Sequence, residues 1–415
     1  MTELERQGEN AKQAARRLAV SDTKTKNAAL LAVAQALEEQ AETWLSANAK
    51  DIAAAEEAGM KPSLLDRLKL TPERIRGVAD GVREAAALRD PIGEILGETL
   101  RPNGLRIVRK RVPLGVIGII YEARPNVTVD AAALCLKSGN ACILRGGKEA
   151  ILSNRAAVEI MQRAILSAGL PADAVQLVQD TSRESAREMM QLSQYIDVLI
   201  PRGGAGLIRA VTKESRVPVI RTGEGVCHIY VDEDADLDMA ATILYNAKCS
   251  RPSVCNAAEC VLVHEKAAKA FWEKALPLLD TKNVQLRADE EALRILGDRA
   301  RLAQSEDWDT EFGDYTLAVK TVRDLDEALA FIAQHGTMHS ECIVTENADA
   351  AQRFLNEVDA AAVYWNASTR FTDGGEFGLG AEIGISTQKL HARGPMGLEE
   401  MTSYKYTIYG KGQVR

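Results

Sequence analysis

The sequence predicts an α/β protein with two parallel-sheet domains and a small additional β-element. Three features indicate this fold class: a helical N-terminal region, two successive series of short apolar strands that alternate with helices, and two strand-like segments outside both series. Strands that are buried on both faces of a parallel sheet are almost continuously apolar, and the helices between them make right-handed crossover connections.

The N-terminal region, up to about residue 90, is expected to form helices. Leu30, Val33 and Leu37 recur at helical spacing, and Thr71 with Pro72 has the pattern of an N-cap followed by proline at the first helical position. From about residue 105 the pattern changes to short apolar strands, which indicate a nucleotide-binding domain. These strands are predicted at residues 116–120, 141–144, 175–178, 198–200 and 217–220.

A second strand series begins near residue 260 and indicates a second domain of similar kind. Its strands are predicted at residues 260–263, 317–319, 342–344 and 361–364. Residues 105–112 and 403–409 also have strand-like patterns but belong to neither series. Because an exposed strand edge is a template for pairing, we interpret these two segments as an oligomerisation element; an ordinary hairpin within one subunit is the alternative.

Composition and charge argue against several classes of function. The chain of 415 residues has a formal net charge of −8, so nucleic acid or an anionic membrane would repel its surface. The uncharged run between Arg111 and Glu122 is too short to span a bilayer, and the start MTELERQGEN lacks the apolar core of a secretory signal. The seven cysteines show no CxxC spacing, which argues against a zinc site or a disulfide framework. We expect a cytoplasmic protein without a metal.

Cys255 lies in SRPSVCNAAEC (250–260), directly before a predicted strand. Its serine, proline and asparagine neighbours favour an accessible loop, although a lone cysteine is more often a small buried apolar residue. The cysteines expected in the core, because they lie in apolar runs, are Cys135, Cys142 and Cys260. Cys227 and Cys249 stay undecided.

Polar and glycine-rich segments follow several predicted strands. Asn126, in YEARPNVTVDAA (121–132), is placed either to donate a hydrogen bond to an oxyanion or to cap the next helix. ILRGGKEA (143–150) combines Gly147 with the cations Arg145 and Lys148. The turn in PRGGAGLIRA (201–210) contributes Gly203, Gly204 and Gly206. Two such turns in succession favour a dinucleotide, because glycine lets the backbone approach a phosphate at a helix N-terminus.

In this order the segments resemble the aldehyde dehydrogenase superfamily over nearly the whole chain. The resemblance is carried by VPLGVIGIIYEARPN (112–126), ACILRGGKEA (141–150), PSVCNAAECVLV (252–263), EFGDYTLAV (311–319) and VYWNASTRF (363–371). Within the superfamily, YEARPNVT, SVCNAAE, HSECIVTEN and DGGEFGLGAEIGIST are most similar to the branch that reduces an acyl phosphate. The implied fold has two Rossmann-type α/β domains and oligomerisation strands. The implied boundaries are 1–98 and 113–227 for cofactor binding, 228–395 for catalysis, and 99–112 and 396–415 for oligomerisation.

The resemblance implies a role for each matching position. Cys255 becomes the nucleophile, and Asn126 with the Cys255 backbone N–H becomes the oxyanion hole. Glu311 or Phe312 would position the nicotinamide ribose. Arg145, Gly147 and Lys148 fall in the turn for the adenosine ribose, and Gly203, Gly204 and Gly206 at the pyrophosphate.

Two departures from the oxidative members point to a reductase. In VIRTGEG (219–225), Arg221 takes the place of the glutamate base that activates water, and an arginine cannot act as a base. Lys148 takes the place of a ribose-binding glutamate, and an ammonium group attracts the 2′-phosphate of NADP(H). The cofactor expected is therefore NADPH.

The implied reaction is the NADPH-dependent reduction of L-glutamyl 5-phosphate to L-glutamate 5-semialdehyde, with release of phosphate through a Cys255 thioacyl intermediate, in proline biosynthesis. The alternative is an oxidative NAD(P)-dependent enzyme that hydrolyses the thioester; a catalytically silent scaffold would be expected to lack Cys255 or Asn126. The candidates for substrate binding are Arg124, Arg221, His339, Arg370, Asp373 and Glu376. We expect a homo-oligomer, and the sequence leaves open a contact with glutamate 5-kinase, which makes the acyl phosphate.

Overall fold

The computed structural model describes residues 1–122 and 124–415, which divide into two compact units. Unit 1 consists of Met1–Arg221, Gly378–Gly384 and Met396–Arg415, and unit 2 of Thr222–Phe377 and Ile385–Pro395. The assignment of cofactor binding and catalysis to separate domains stays a prediction.

Unit 1 begins with helices, as the apolar spacing predicted. They are α1 (Glu3–Leu18), α2 (Thr23–Glu39), α3 (Ala41–Glu57), α4 (Pro62–Leu68) and α5 (Pro72–Ala87). The Thr71 side chain accepts a hydrogen bond from the Arg74 backbone N–H, so Thr71 is the N-cap of α5 and Pro72 its first residue.

The strands of unit 1 form an antiparallel and a parallel sheet. They are β1 (Ile95–Leu100), β2 (Arg106–Pro113), β3 (Val116–Tyr121), β4 (Ala141–Arg145), β5 (Val175–Leu177) and β6 (Val198–Arg202). The order β5-β4-β3-β6 is parallel throughout, with α6 (Pro125–Lys137), α7 (Ile151–Ser167), α8 (Arg183–Gln191) and α9 (Ala205–Glu214) in the same stretch of chain. The predicted strand at 217–220 is wrong, because only Val219 forms a bridge, with Leu199; Pro218 has no N–H to donate to a ladder.

Unit 2 is built around a parallel sheet with the order β10-β9-β11-β8-β7-β12-β13. The strands are β7 (Cys227–Val231), β8 (Ala258–His264), β9 (Gln285–Ala288), β10 (Ala300–Leu302), β11 (Thr316–Val322), β12 (Ser340–Val344) and β13 (Ala362–Trp365). The helices are α10 (Leu237–Cys249), α11 (Glu265–Asp280), α12 (Glu290–Leu296), α13 (Leu325–His335) and α14 (Ala348–Glu357). Apolar cores lie on both faces of the sheet. Successive residues of a strand point to opposite faces, and the neighbours Val261 and Leu262 belong to different apolar clusters.

Two short strands, β14 (Ile385–Ser386) and β15 (Gly394–Pro395), pair antiparallel in unit 2. The final strand, β16 (Thr402–Tyr409), pairs antiparallel with β2 along its whole length, giving the sheet order β1-β2-β16. The two strand-like segments of the sequence therefore pair with each other within one chain, and their role in oligomerisation stays a prediction. Among the described residues, no helix is long and apolar enough to cross a membrane.

Candidate active site

The predicted nucleophile lies on a turn at the amino-terminal edge of the unit 2 sheet. Helix α10 ends at Cys249, β8 begins at Ala258, and Cys255 lies on the irregular chain between them. Cys255 is half-buried, whereas the other six cysteines of the chain are buried. This confirms that Cys135, Cys142 and Cys260 are core residues, and it makes the Cys255 thiol the accessible one.

The residue next to the nucleophile is held from one side by residues 369–372. The Asn256 side-chain N–H₂ donates to the carbonyls of Thr372 at 2.9 Å and Arg370 at 3.3 Å, and the Arg370 guanidinium donates to Asn256 Oδ1. The Thr369 hydroxyl donates to the Asn256 carbonyl at 2.7 Å. The amide of Asn256 and its main-chain carbonyl are thus both engaged, which fixes the backbone that carries Cys255.

The carbonyl of Cys255 is held from the other side by residues 225–227. The Cys227 thiol donates to the Cys255 carbonyl oxygen at 3.2 Å. A Cβ atom added to Gly225 would lie 1.5 Å from the same oxygen, so only glycine permits this approach of the two backbones.

His339 supports this arrangement from the buried side. Its Nδ1 lies 2.8 Å from the Ser340 hydroxyl and 3.8 Å from the Cys227 sulfur, and the Ser340 hydroxyl lies 2.6 Å from that of Thr372. The ring has no exposed surface, and burial lowers the pKa of His339 to about 4, so the imidazole is neutral at pH 7. The ring therefore packs in the interior beside the nucleophile turn, and a contact of His339 with substrate stays a prediction.

Arg370 brings positive charge to the nucleophile turn. Its Nε donates to the Ser250 hydroxyl at 3.1 Å. Burial and then the charge of Arg251 lower the pKa of the Arg370 guanidinium, while Asp373 and the Cys255 thiolate act in the opposite direction. The adjoining helix α10 ends at this turn, and the carboxyl end of a helix disfavours an anion. The positive charges of Arg370 and Arg251 oppose that effect on the Cys255 thiolate.

The two acidic candidates, Asp373 and Glu376, are exposed, unlike the half-buried Arg370. Asp373 is exposed, and its Oδ1 accepts the backbone N–H groups of Gly375 at 2.9 Å and Glu376 at 3.4 Å. It therefore caps the turn that contains Glu376, which is also exposed. Binding of the substrate ammonium by either carboxylate stays a prediction.

The segment predicted to position the nicotinamide ribose is fixed to the same turn. Burial raises the pKa of Glu311, while a hydrogen bond from the Gly225 backbone N–H lowers it. Phe312 packs against the apolar cluster on the α13 face of the sheet. The Gly313 N–H donates to Glu259 Oε1 at 3.2 Å, and Glu259 is paired with Lys248.

In unit 1 the candidates lie at the carboxyl ends of parallel strands. After β3, Pro125 opens helix α6 and Asn126 lies in its first turn, where its Nδ2 donates to Asp130 Oδ2 at 3.0 Å. Burial raises the pKa of Asp130 to about 6. The N-cap is Arg124, so the interpretation of Asn126 as a helix cap is wrong.

The turn after β4 contains one engaged cation and one exposed cation. Arg145 donates from Nη2 to the carbonyls of Thr181 at 2.7 Å and Ser182 at 2.8 Å, and burial lowers its pKa. Lys148 is exposed at the start of a short 3₁₀ turn that follows Gly147. Lys148 is therefore better placed than Arg145 to receive a ligand phosphate.

The glycine turn after β6 already holds a carboxylate. Gly204 is the N-cap of α9, and its backbone N–H donates to Glu122 Oε2 at 3.0 Å. A Cβ added to Gly203 would lie 2.7 Å from the Glu122 carboxyl carbon, whereas one added to Gly206 would meet nothing within 4 Å. The N-terminus of α9 thus attracts a negatively charged group, and its contact with a cofactor pyrophosphate stays a prediction. Arg221 follows at the end of the first segment of unit 1 and is half-buried.

Comparison with known proteins identifies the family to which the chain is similar. The model of the aldehyde dehydrogenase family matches residues 2–294. The chain is 58% identical over 415 residues to the gamma-glutamyl phosphate reductase of Carboxydothermus hydrogenoformans and 57% identical to that of Clostridium beijerinckii, with 100% of each chain covered. The crystal structure of gamma-glutamyl phosphate reductase from Thermotoga maritima matches with a TM-score of 0.98 and 46% identity, covering 100% of both chains.

The chain belongs to the aldehyde dehydrogenase family, and within it to the gamma-glutamyl phosphate reductases. The predicted aldehyde dehydrogenase-like α/β fold is confirmed. An acetylating aldehyde dehydrogenase from Geobacillus thermoglucosidasius, 18% identical, matches with a TM-score of 0.69 over 100% of this chain and 97% of its own, which shows the shared fold alone.

Sequence reasoning missed several residues of this family member's site. Gly225 and Cys227 contact the Cys255 carbonyl, and Lys248 and Glu259 form a buried ion pair beside it. Glu259 carried a signal, because it is a single charge inside an otherwise apolar strand. The others carried none, since their roles depend on contacts between distant segments.

Proposed function

We propose that this chain reduces L-glutamyl 5-phosphate to L-glutamate 5-semialdehyde with NADPH, releasing phosphate, in proline biosynthesis. The observation that carries the proposal is identity of 55–58% over the full length to gamma-glutamyl phosphate reductases. The half-buried Cys255, held on a fixed turn beside Arg370, supplies the nucleophile that this reaction needs.

Cys255 carries the covalent steps in the proposed mechanism. Its thiolate attacks the acyl carbon, the C–O bond to phosphate breaks, and phosphate leaves with the bonding electrons. The Cys255 backbone N–H and the Asn126 amide are the proposed oxyanion donors, each worth about 2.7–4 kcal/mol in other enzymes. When bound, the cofactor supplies a hydride to the thioester carbon. The thiolate of Cys255 is then expelled and the aldehyde is released.

The residues present fit a nicotinamide cofactor, which family membership implies. At the N-terminus of α9 the Gly204 N–H donates to a carboxylate, and Lys148 is exposed in the turn after β4. We propose that Lys148 favours NADPH over NADH through the 2′-phosphate, and that Glu311 or Phe312 positions the nicotinamide ribose.

Water must be kept from the thioester in a reductase. Arg221 occupies the position that a glutamate base would take, and a guanidinium cannot activate water. The chain is 57–58% identical to two gamma-glutamyl phosphate reductases, which favours the reductase over an enzyme that oxidises an aldehyde and hydrolyses the thioester. Arg221, Arg124 and Arg370 stay the proposed contacts for the anionic groups of the substrate.

The assay that tests this function runs the reaction backwards, because the acyl phosphate is labile. Glutamate 5-semialdehyde, NADP and inorganic phosphate are mixed with the protein, and NADPH formation is followed by absorbance. We expect NADPH formation that depends on phosphate and is slower with NAD. An equal rate without phosphate would mean that water opens the thioester, and the oxidative reaction would replace the proposed one.

We further propose that the protein is a cytoplasmic homo-oligomer that associates through the β1-β2-β16 sheet. Strand β16 is an edge strand, and Tyr406 and Ile408 on it are exposed, as is Leu100 on the opposite edge strand β1. Replacing Ile408 by lysine should lower the mass measured by light scattering; an unchanged mass would contradict this interface. A contact with glutamate 5-kinase is tested by co-elution of the two purified proteins.

A further inference from the structure

A buried ion pair joins both ends of the nucleophile turn. Lys248 lies in the last turn of α10, just before the turn, and Glu259 lies at the start of β8, just after it. Lys248 Nζ is 2.5 Å from Glu259 Oε2, and the two side chains have 0% and 1% of their surface exposed. Burial raises the pKa of Glu259 to about 7 in spite of the lysine.

Stability alone does not account for this pair. Removing two charges from water costs several kcal/mol per ion, and an apolar pair of similar volume is often as stable or more so. A buried charged pair that gains little stability is therefore better explained by the positions that it fixes. The second oxygen of Glu259 has such a role, because it accepts the backbone N–H of Gly313 at 3.2 Å.

The 311–313 segment is therefore tied to the nucleophile turn at two points. Glu259 Oε1 accepts the Gly313 N–H at 3.2 Å, and the Gly225 backbone, whose N–H lowers the pKa of Glu311, lies against the Cys255 carbonyl. Both ties lie within unit 2. Together they set the distance between the thiol of Cys255 and the residues proposed to hold the nicotinamide ribose.

We propose that Lys248 and Glu259 are positioning residues for hydride transfer. They place Glu311 and Phe312 relative to Cys255, and so fix where the reactive carbon of the cofactor meets the thioester. This inference rests on the proposed function, since it concerns the same site. A displacement of about 1 Å at a reacting centre can cost roughly 10²-fold in rate, so loss of one tether is enough to be measured.

The test compares Glu259→Gln with wild type in two assays. The first is the phosphate-dependent reverse assay, which gives kcat. The second is the reduction with 4-deuterated NADPH, which gives the isotope effect on hydride transfer. We expect kcat to fall about tenfold or more and the deuterium isotope effect on kcat to increase, because the hydride step becomes slower. Alkylation of Cys255 by iodoacetamide without cofactor should stay within about twofold of wild type, since the clamp on Asn256 is untouched. Lys274→Met, which removes the exposed pair with Asp238 in the same unit, is the matched control and should change neither quantity.

A second variant covers the case in which Glu259→Gln does not fold. Lys248→Met combined with Glu259→Leu replaces the ion pair by apolar packing, and should fold yet show the same isotope effect. Kinetics and isotope effects within about twofold of wild type in either folded variant would overturn the inference while leaving the proposed function intact. A parallel loss of Cys255 alkylation would also overturn it, because the pair would then only maintain the turn. Absence of phosphate-dependent turnover in wild type would instead reject the proposed function.

Discussion

The two units present their candidate residues at opposite edges of their sheets. In unit 1, Asn126, Lys148 and Gly204 follow the carboxyl ends of β3, β4 and β6, where helices begin. In unit 2, Cys227, Cys255 and His339 lie at the amino ends of the neighbouring strands β7, β8 and β12.

This difference determines which kinds of group are available at each edge. At the carboxyl edge, backbone N–H groups of helix N-termini attract anions, so small and exposed residues such as Gly204 and Lys148 suffice. At the amino edge, helix α10 ends at the turn, and the side chains of Asn256, Thr369 and Arg370 hold it. A cofactor can complete an open site by its own contacts, whereas a nucleophile has to be fixed before the substrate arrives.

The largest effect is expected at the nucleophile itself. Cys255→Ser replaces a thiolate by a hydroxyl, a far weaker acid, and should lower turnover roughly 10³-fold or more. The dissociation constant of NADPH, measured by fluorescence titration, should not change, because cofactor contacts are proposed elsewhere. Cys249→Ala, at a buried cysteine in the same stretch of chain, is the control and should retain turnover. Appreciable turnover by Cys255→Ser would reject the assignment.

Gly225→Ala tests whether the amino-edge turn is as rigid as its contacts indicate. The added methyl group would lie 1.5 Å from the Cys255 carbonyl oxygen, so the turn must shift. We expect a loss of about 10²-fold in kcat in the reverse assay. Gly77→Ala, in α5 with open space around its Cβ position, should be neutral. Equal kcat values for the two variants would show that the turn tolerates displacement.

His339 gives the same region a dependence of stability on pH. Its pKa is about 4 when folded and near 6.5 when unfolded, so the unfolded chain binds the proton first as the pH falls. The free energy of unfolding should therefore be highest above pH 6.5 and decrease towards pH 4, with a contribution of about 2 kcal/mol lost between pH 7 and pH 5. Urea unfolding of His339→Gln should show a smaller decrease than wild type over this interval.

Leu166→Gln, at an exposed apolar residue of α7, is the control for that measurement, because it introduces the same side chain without removing a titratable group. It should keep the wild-type dependence on pH between 7 and 5. If wild type and His339→Gln lose the same stability, the ring is not held neutral by burial.

The smallest effect is expected at the open edge of unit 1. Lys148→Ala should reduce the preference for NADPH over NADH about tenfold, because one exposed charge-assisted contact with the 2′-phosphate is lost. The ratio of kcat/KM for the two cofactors measures this preference, and NADH kinetics should be unchanged. Lys213→Ala, at an exposed lysine in the last turn of α9, should keep the wild-type ratio.

Local sequence patterns predicted most of the strands correctly because buried parallel strands need continuous apolar residues. The pattern failed at 217–220, where Pro218 interrupts the ladder. It also overlooked β1, β7, β9, β10, β14 and β15. In β7, His228 is buried against Glu341 of β12. A histidine counts as polar in a sequence pattern, and only the buried partner Glu341 shows that His228 belongs to the core.

Residue types and their local spacing are enough to predict that the chain forms parallel α/β sheets and that Cys255 lies in a polar turn before a strand. Both properties depend on neighbours a few positions away, whereas the placement of Arg221 where a base would be required for hydrolysis follows from the family resemblance and stays a prediction. Only the tertiary structure decided what holds the nucleophile. Residues 225–227, 255–259, 311–313 and 369–372 are distant in the chain, and they meet because the sheet order places β11, β8, β7, β12 and β13 side by side.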